Sequence, residues 1–222
     1  MSQPLETSVT LADKLQTLVQ DFISQLPADA QQTVGQSFER LLTSNTGANA
    51  IQEGDKAPDF VLPGVNGNPV QLGKLLEKGP VVLSFYRGGW CPFCSLEFKA
   101  LINILPQIQS LGAQLIGVSP ETQDTSAKTV RDHSIPFEVL SDQGNVVARD
   151  YGLLFGVYEE MRPLYLQWGL DIPAANGDDT WELPVPATYV IDSSGRVHTA
   201  FVEKDYTKRM EPSDIVKALK SL

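Results

Sequence analysis

Both cysteines of this chain lie in one short segment, Cys91-Pro92-Phe93-Cys94, which follows an almost entirely apolar run, GPVVLSFY, after the four residues RGGW. A run of that length and composition predicts a strand buried on both faces. The apolar residues after Cys94 recur at helical spacing, so the two cysteines are expected at the N-terminus of a helix. Unpaired backbone N–H groups and the helix dipole favour a thiolate there, and the thiolate is the reactive form of cysteine.

The residues around the cysteines carry further signals. Arg87 lies a few residues before Cys91 and can add positive charge, while the two glycines after Arg87 allow an unusual backbone path. Trp90 either shields the two thiols or belongs to the core. Glu97, on the first turn of the predicted helix, is either a proton relay or a solvated helix residue.

The chain after residue 50 alternates between short apolar runs and segments of helical periodicity. DFVLPGVNGNPVQL predicts a β-hairpin around its Asn-Gly turn. AQLIGVSP and FEVLSD predict strands, each preceded by a helix, and ATYVID and VHTAFVE predict an antiparallel hairpin before a final helix in EPSDIVKALKSL. This order predicts an α/β domain with a central sheet flanked by helices. Pro106 is expected to kink or split the helix that begins at the cysteines.

Two regions differ from this alternation. Residues 1–50 contain two amphipathic helical patterns separated by Pro27, and they predict a helical hairpin appended to a domain of residues 51–222. The hairpin either packs on its own domain or serves as a dimerisation arm. Residues 154–184 predict an insertion, with a helix over YEEMRPLYLQWGL and a loop over DIPAANGDDTWELP. Its aromatic residues either line a substrate groove or pack the insertion down: Tyr165, Trp168 and Trp181.

The charge of the chain limits its partners. A formal net charge of −10 and a pI near 4.6 argue against nucleic acid and against anionic membrane surfaces. We find no apolar run of the ~20 residues that a membrane helix needs. The first residues, MSQPLETSVTLADKLQ, lack the basic and apolar regions of a secretory signal, so a cytoplasmic location is expected.

Three interpretations of the cysteine pair are open from the residues alone. The pair can be structural, half of a zinc site, or redox-active. A zinc site needs four ligands, and beyond the cysteines only His133 and His198 remain, far apart in sequence, so we interpret both histidines as ordinary polar residues and expect neither metal nor cofactor. In a reducing compartment a close cysteine pair is more often reactive than structural, which favours the redox interpretation.

Several motifs together resemble a known family. The segments GDKAPDFVLPGVNGNPVQL, GPVVLSFYRGGWCPFCSLEF and LGAQLIGVSPET are similar in content and order to the alkyl hydroperoxide reductase/thiol-specific antioxidant (AhpC/TSA) peroxiredoxins, and most closely to their atypical branch with a CxxC. The resemblance covers about residues 52–205. It implies a thioredoxin-like fold with added N-terminal strands and the reduction of hydroperoxides by a cysteine thiolate.

The resemblance assigns roles to the two cysteines. Counted from Phe85 and Tyr86, the peroxide-reactive cysteine of the family falls on Cys94, and the Glu that often follows it falls on Glu97. The Thr that helps to position the peroxide falls on Cys91, so a second thiol replaces that hydroxyl.

Two further family positions also differ in this chain. The Pro of the family loop falls on Arg87, and the Arg that supports the thiolate falls on Pro186. WCPFC and a Pro before TYVID resemble thioredoxins instead, whose cis-proline faces the dithiol, and Pro186 is therefore a candidate cis-proline. Arg87 can replace the missing family Arg electrostatically.

Three functions follow from these interpretations. In a thiol peroxidase, Cys94 attacks a hydroperoxide, Cys91 closes an intramolecular disulfide, and an external dithiol such as thioredoxin reduces it. In a thioredoxin-like thiol–disulfide oxidoreductase, Cys91 is the nucleophile and Cys94 resolves the mixed disulfide. In a redox sensor, the pair is oxidised without turnover and the helical hairpin binds a partner. The extent of the resemblance favours the peroxidase, and a homodimer is expected from it.

Overall fold

The computed structural model describes residues 9–222, so the first eight residues of the predicted helical hairpin lie outside it. The elements follow in chain order. The N-terminal part has two helices, α1 (Leu11–Gln25) and α2 (Ala28–Thr43), followed by the hairpin β1 (Val61–Pro63) and β2 (Pro69–Gln71) and the helix α3 (Leu72–Leu76). The middle part is β3 (Val81–Phe85), α4 (Pro92–Ser110), β4 (Gln114–Ser119), α5 (Gln123–His133), β5 (Glu138–Ser141) and α6 (Val146–Asp150).

The C-terminal part begins with the region predicted as an insertion. It comprises β6 (Leu154–Gly156), a 3-10 turn (Glu159–Met161), α7 (Arg162–Gln167), α8 (Ile172–Asn176) and β7 (Glu182–Pro184). The strands β8 (Ala187–Ile191) and β9 (Val197–Val202) and the helix α9 (Pro212–Lys220) complete the chain. None of the helices within residues 9–222 is long and apolar enough to cross a membrane.

A five-stranded mixed sheet forms the centre of the domain, in the order β5-β4-β3-β8-β9. The strands β3, β4 and β5 are parallel, whereas β8 and β9 run antiparallel to their neighbours. Every residue of β3 is buried, as its apolar run predicts for a strand covered on both faces. The central sheet with flanking helices confirms the predicted fold class.

Alternate residues of β3 supply the two halves of the core. Val82 packs with apolar residues of α4 and α9 on one face of the sheet. Leu83 and Phe85 point to the other face, where they pack with residues of β1, α3 and α6. Ser84 shares the face of Val82, so the start of α4 lies above this polar position, and the functional site is built there.

The two N-terminal helices pack on their own chain. Thr10 caps α1 through a reciprocal pair of hydrogen bonds with Asp13, which fixes where the helix begins. Leu11 and Leu15 join a buried cluster that contains both cysteines, and α2 packs against the 3-10 turn of the insertion. The additional role as a dimerisation arm stays a hypothesis, as does the division of the chain at residues 50 and 51.

Two predictions about local structure need correction. Pro106 does not split the helix after the cysteines, because α4 continues through it to Ser110, and the alternative of a kink at Pro106 stays a prediction. Pro106 is exposed and its missing N–H costs one helical hydrogen bond, while Leu105 and Ile108 remain buried against the sheet. The predicted loop DIPAANGDDTWELP contains α8, which Asp171 caps by accepting from the Ala174 N–H, and the strand β7.

The prediction of a cis-proline at Pro186 is also wrong, because the peptide bond before it is trans. The chain stays extended across this position: β7 ends at Pro184, the Val185 N–H donates to the Leu153 carbonyl, and β8 begins at Ala187. Pairing with β6 on one side and with β3 on the other therefore leaves no turn for a cis bond to make. Pro186 remains at the sheet edge where β3 ends, since Ala187 pairs with Phe85.

Candidate active site

The cysteine pair lies at the carboxyl edge of the sheet, where β3 passes into α4. Cys91 is the N-cap residue of α4 and Pro92 lies in its first turn, so the missing proline N–H costs no hydrogen bond. The Cys91 N–H donates to the Gly88 carbonyl, and this turn directs the chain into the helix. Both thiols are free and fully buried. The strand–loop–helix order predicted from the sequence thus brings the two sulfurs together.

The two glycines of the loop are required by close contacts. Gly88 has a φ of +151°, and a Cβ atom there would lie 2.2 Å from the Trp90 indole nitrogen. A Cβ atom on Gly89 would lie 2.2 Å from the Thr129 hydroxyl. Since contacts below 3.0 Å force atoms to move, any side chain at either position would displace the Trp90 or Thr129 side chain, or the loop that carries Cys91.

Arg87 lies beside Cys91. Its Nη1 atom is 3.9 Å from the Cys91 sulfur, and its Nη2 atom donates to the Tyr165 hydroxyl. The guanidinium group is buried and lies over two aromatic rings, 4.2 Å from the Tyr206 centroid and 5.1 Å from the Trp90 centroid. Trp90 therefore packs against the same guanidinium group that contacts the Cys91 sulfur.

A second buried arginine, Arg209, contacts the other thiol. Its Nη2 atom is 3.2 Å from the Cys94 sulfur, and its Nε atom forms an ion pair with Glu97. The second carboxylate oxygen of Glu97 accepts from the Ser84 hydroxyl at 3.3 Å. Glu97 is 2 % exposed, so it is not a solvated helix residue: it orients the guanidinium group that contacts Cys94. A proton-relay role for Glu97 stays a prediction.

Sequence reasoning missed Arg209. It lies 115 positions from Cys94, in the segment between β9 and α9, and no motif marks it. The family position expected for an arginine carries Pro186, and Arg87, the proposed replacement, contacts Cys91 rather than Cys94. The fold instead brings an arginine to Cys94 from the opposite end of the chain. Only the packing of α9 beside α4 could have revealed it.

The environment separates the pKa values of the two thiols. Burial by itself raises the pKa of Cys91, but a hydrogen bond from Cys94 and the charges of Arg87 and Arg209 outweigh it and lower that pKa to about 5. The pKa of Cys94 is raised by burial and then by its hydrogen bond to, and repulsion from, the Cys91 thiolate. At neutral pH the pair therefore holds one proton and one negative charge between two guanidinium groups.

A buried carboxylate, Glu121, holds the loop between β3 and α4 by hydrogen bonds. It accepts hydrogen bonds from the Gly89 N–H at 2.9 Å, from the Thr129 hydroxyl at 3.1 Å and from the Tyr86 hydroxyl at 3.3 Å. Its pKa is raised by burial, and no lysine, arginine or histidine within residues 9–222 forms an ion pair with it. The His133 ring lies 3.0 Å from the Gly89 carbonyl. Gly89 is thus held at both its N–H and its carbonyl.

The other residues singled out in the sequence are divided between the site and the surface. His198 contacts Ser221 at the surface. In the described part of the chain, three or more histidine, cysteine, aspartate or glutamate side chains do not gather into a metal-binding group. Of the three aromatic residues of the insertion, Tyr165 and Trp168 lie near Arg87, whereas Trp181 packs under Arg162.

Comparisons with known proteins agree with the fold described above and identify the family. The AhpC/TSA family profile matches residues 53–200. The chloroplastic peroxiredoxin Q of Sedum lineare is 26% identical over 78% of this chain and 80% of its own length. Among solved structures, a peroxidoxin from Mycobacterium tuberculosis superposes with a TM-score of 0.61 at 23% identity, covering 78% of this chain and 98% of that one.

A more distant structure superposes as well. The reduced 2-Cys peroxiredoxin of Plasmodium vivax gives a TM-score of 0.57 at 20% identity, covering 77% of this chain and 95% of that one. At these identities the structural likeness shows a shared fold. The residues matched by the family profile, 53–200, include both cysteines.

Proposed function

This chain belongs to the AhpC/TSA family, and from that premise we propose that it is a thiol-dependent peroxidase that reduces hydrogen peroxide or organic hydroperoxides. The observation that carries the proposal is the pair of buried thiols, each in contact with its own buried arginine. Guanidinium groups stabilise a thiolate and also the negative charge that develops on the leaving oxygen when an O–O bond breaks. Its similarity to proteins named peroxiredoxins supports the same activity.

We assign the attacking role to Cys94, because Arg209 lies 3.2 Å from its sulfur. The proton of Cys94 first moves to Cys91 across their hydrogen bond. The Cys94 thiolate then attacks the distal oxygen of the hydroperoxide, the O–O bond breaks, and Cys94 becomes a sulfenic acid. The leaving alkoxide or hydroxide takes the proton from Cys91.

The second step uses the thiolate that this transfer leaves on Cys91. The Cys91 sulfur attacks the Cys94 sulfur, an S–S bond forms, and hydroxide leaves and takes a proton from solvent. Two thiols and one hydroperoxide thus give one disulfide, one alcohol or water, and one further water. A thioredoxin-like or other external dithiol returns the pair to the reduced state by exchange.

One observation favours a second function, thiol–disulfide exchange with Cys91 as the nucleophile. Cys91 lies at the helix N-cap and has the lowered pKa of the pair, about 5. In this alternative Cys91 attacks a substrate disulfide and Cys94 resolves the mixed disulfide. The same two sulfurs then exchange roles, so the two functions make opposite predictions for single cysteine variants.

Steady-state consumption of hydrogen peroxide and cumene hydroperoxide, with reduction of insulin as the parallel assay, decides between the two functions. The peroxidase predicts peroxide consumption far above that of a free thiol, and its loss in Cys94→Ser. The oxidoreductase predicts rapid insulin reduction that Cys91→Ser abolishes, with peroxide consumed no faster than by free thiol. Oxidation without turnover in either assay would favour the redox sensor.

Two further features belong to the proposal. We propose a homodimer, which analytical ultracentrifugation tests directly, and a monomer at micromolar concentration would contradict it. We also propose a cytoplasmic location, where glutathione and thioredoxin keep such a pair reduced. Cell fractionation tests the location, and recovery of the protein in an oxidising compartment would contradict it.

A further inference from the structure

A cavity of about 120 Å³ lies beside the cysteine pair and touches four separated parts of the chain. Pro92 and Phe93, the two residues between the cysteines, form one wall. We call it the aromatic cavity because six aromatic side chains line it: Phe22, Trp90, Phe93, Tyr165, Trp168 and Tyr206. Its remaining lining is aliphatic except for Arg87.

Three of the residues that line the aromatic cavity come from parts of the chain that the family profile does not match. Phe22 on α1 packs edge-on against Trp168 at the end of α7, with 5.3 Å between ring centroids. Val34 on α2 adds a buried aliphatic wall, and Tyr165 of α7 packs edge-on against Trp90. Phe22, Val34 and Tyr206 lie outside the residues that the family profile matches, so the match by itself does not close the cavity.

One end of the aromatic cavity is polar and lies next to the cysteine pair. Arg87 lines the cavity, and its Nη1 atom is 3.9 Å from the Cys91 sulfur. The Nε atom of Arg87 is buried and has no hydrogen-bond partner among residues 9–222. A buried donor without a partner costs free energy that an acceptor oxygen of a ligand would recover. The cavity therefore suits a ligand with an apolar body and one oxygen-bearing end.

We propose that the aromatic cavity holds the organic group of a compact organic hydroperoxide, with the hydroperoxy end directed towards Arg87 and the cysteine pair. The proposal rests on the peroxidase function. A cavity of about 150 Å³ holds benzene, so the smaller cavity of about 120 Å³ suits one compact group, with a branched alkyl group well inside the limit and one aromatic ring at the upper limit. A long acyl chain exceeds this volume, and hydrogen peroxide leaves it unfilled. Bulky, compact hydroperoxides are therefore the preferred substrates.

The first test compares kcat/KM for cumene hydroperoxide, tert-butyl hydroperoxide, a fatty-acid hydroperoxide and hydrogen peroxide, with excess dithiothreitol as reductant. We expect the two compact hydroperoxides to exceed hydrogen peroxide by about tenfold or more, because burial of their organic group adds binding. Val34→Phe fills the cavity and should reduce kcat/KM for cumene hydroperoxide about tenfold more than that for hydrogen peroxide. Leu166→Ala, on α7 but 52% exposed, is the matched control and should change neither.

The second test needs no turnover. Cumyl alcohol, the unreactive product, should quench or shift the tryptophan fluorescence of the wild-type protein saturably, since Trp90 and Trp168 line the cavity. Val34→Phe should abolish this binding, and Trp168→Ala, which widens the cavity, should weaken it if Val34→Phe does not fold.

The outcomes separate the two levels of the proposal. Saturable alcohol binding without any peroxide consumption supports the cavity assignment and overturns the peroxidase function. Peroxide consumption with no alcohol binding, or with Val34→Phe affecting both peroxides equally, overturns the cavity assignment and leaves the peroxidase function intact.

Discussion

Each of the two cysteines contacts its own buried arginine. Arg87 contacts Cys91 from the loop after β3, and Arg209 contacts Cys94 from the segment before α9. A single cation would favour only one thiolate, whereas two allow the negative charge to move from one sulfur to the other during a reaction. Residue-level variants can therefore test each sulfur separately.

Arg209→Lys should reduce kcat/KM for hydroperoxides by about tenfold or more, because one ammonium group cannot contact Cys94 and Glu97 in the fork geometry of a guanidinium. Steady-state peroxide consumption measures the loss, and the thermal midpoint checks that the variant is folded. The exposed Arg131→Lys is the control. Full activity in Arg209→Lys would contradict the role of Arg209.

The Cys91 thiolate should titrate with a midpoint near pH 5, followed by its ultraviolet absorbance in the reduced protein. Because its pKa is lowered from 9.0, the stability it adds is fully present above about pH 9 and is lost as the pH falls towards 5. Cys91→Ser should remove the titration, and Arg87→Met should move it to higher pH. A midpoint near 9 in the wild-type protein would contradict the electrostatic account.

Glu121→Gln should loosen the thiol loop, because an amide cannot accept the hydrogen bonds of Gly89, Thr129 and Tyr86 as a carboxylate does. The expected losses are about 1–3 kcal/mol in the free energy of unfolding and about tenfold in kcat/KM. The Gly89 amide proton should move upfield in the NMR spectrum. An unchanged Gly89 resonance would show that Glu121 does not hold the loop.

At the scale of elements, local patterns predicted what depends on local interactions. The buried run of β3, the helical spacing of α4 and the Asn-Gly turn of the first hairpin are all properties of neighbouring residues, and all three elements form. The failures concern long-range effects. Pro106 is tolerated because α4 is anchored by its buried face, and Pro186 is trans because β6 and β3 hold the chain extended on either side.

Pro106→Ala should raise the stability of α4 without changing activity. The substitution restores an N–H donor within the helix on its exposed side, so we expect the free energy of unfolding to increase by up to about 3 kcal/mol. Chemical denaturation measures the change, and Gln107→Ala on the same exposed face serves as the control. A destabilised Pro106→Ala would show that the proline itself stabilises α4.

At the scale of the whole molecule, the sequence predicted the sheet and the location of the cysteine pair but not the enclosure of the site. The arginine on Cys94 comes from the C-terminal segment, and two walls of the aromatic cavity come from the N-terminal helices. Neither the Arg209–Cys94 contact nor the Phe22–Trp168 contact could be read from a sequence motif, because each joins residues more than 50 positions apart. The predicted substrate-groove role of Tyr165 and Trp168 stays a prediction, and it depends on a helix outside the insertion, because Phe22 of α1 packs on Trp168.

The enclosure also has a consequence for recycling. Both sulfurs are fully buried beneath the N-terminal helices, the insertion and the C-terminal segment. A protein dithiol can reach the Cys91–Cys94 disulfide only when these elements move, whereas a small hydroperoxide in the aromatic cavity already lies next to Arg87 and the Pro92–Phe93 wall and needs a smaller movement to reach a sulfur. Oxidation and reduction therefore place different demands on the molecule.

Intact-protein mass spectrometry after one equivalent of cumene hydroperoxide tests the central claim most directly. The wild-type protein should lose the mass of two hydrogens as the Cys91–Cys94 disulfide forms. Cys91→Ser should gain one oxygen on Cys94 and react with a sulfenic-acid trap, and Cys94→Ser should stay unmodified at the same peroxide dose. Rapid oxidation of Cys91 in Cys94→Ser, with Cys94 inert in Cys91→Ser, would contradict the assignment of the attacking sulfur.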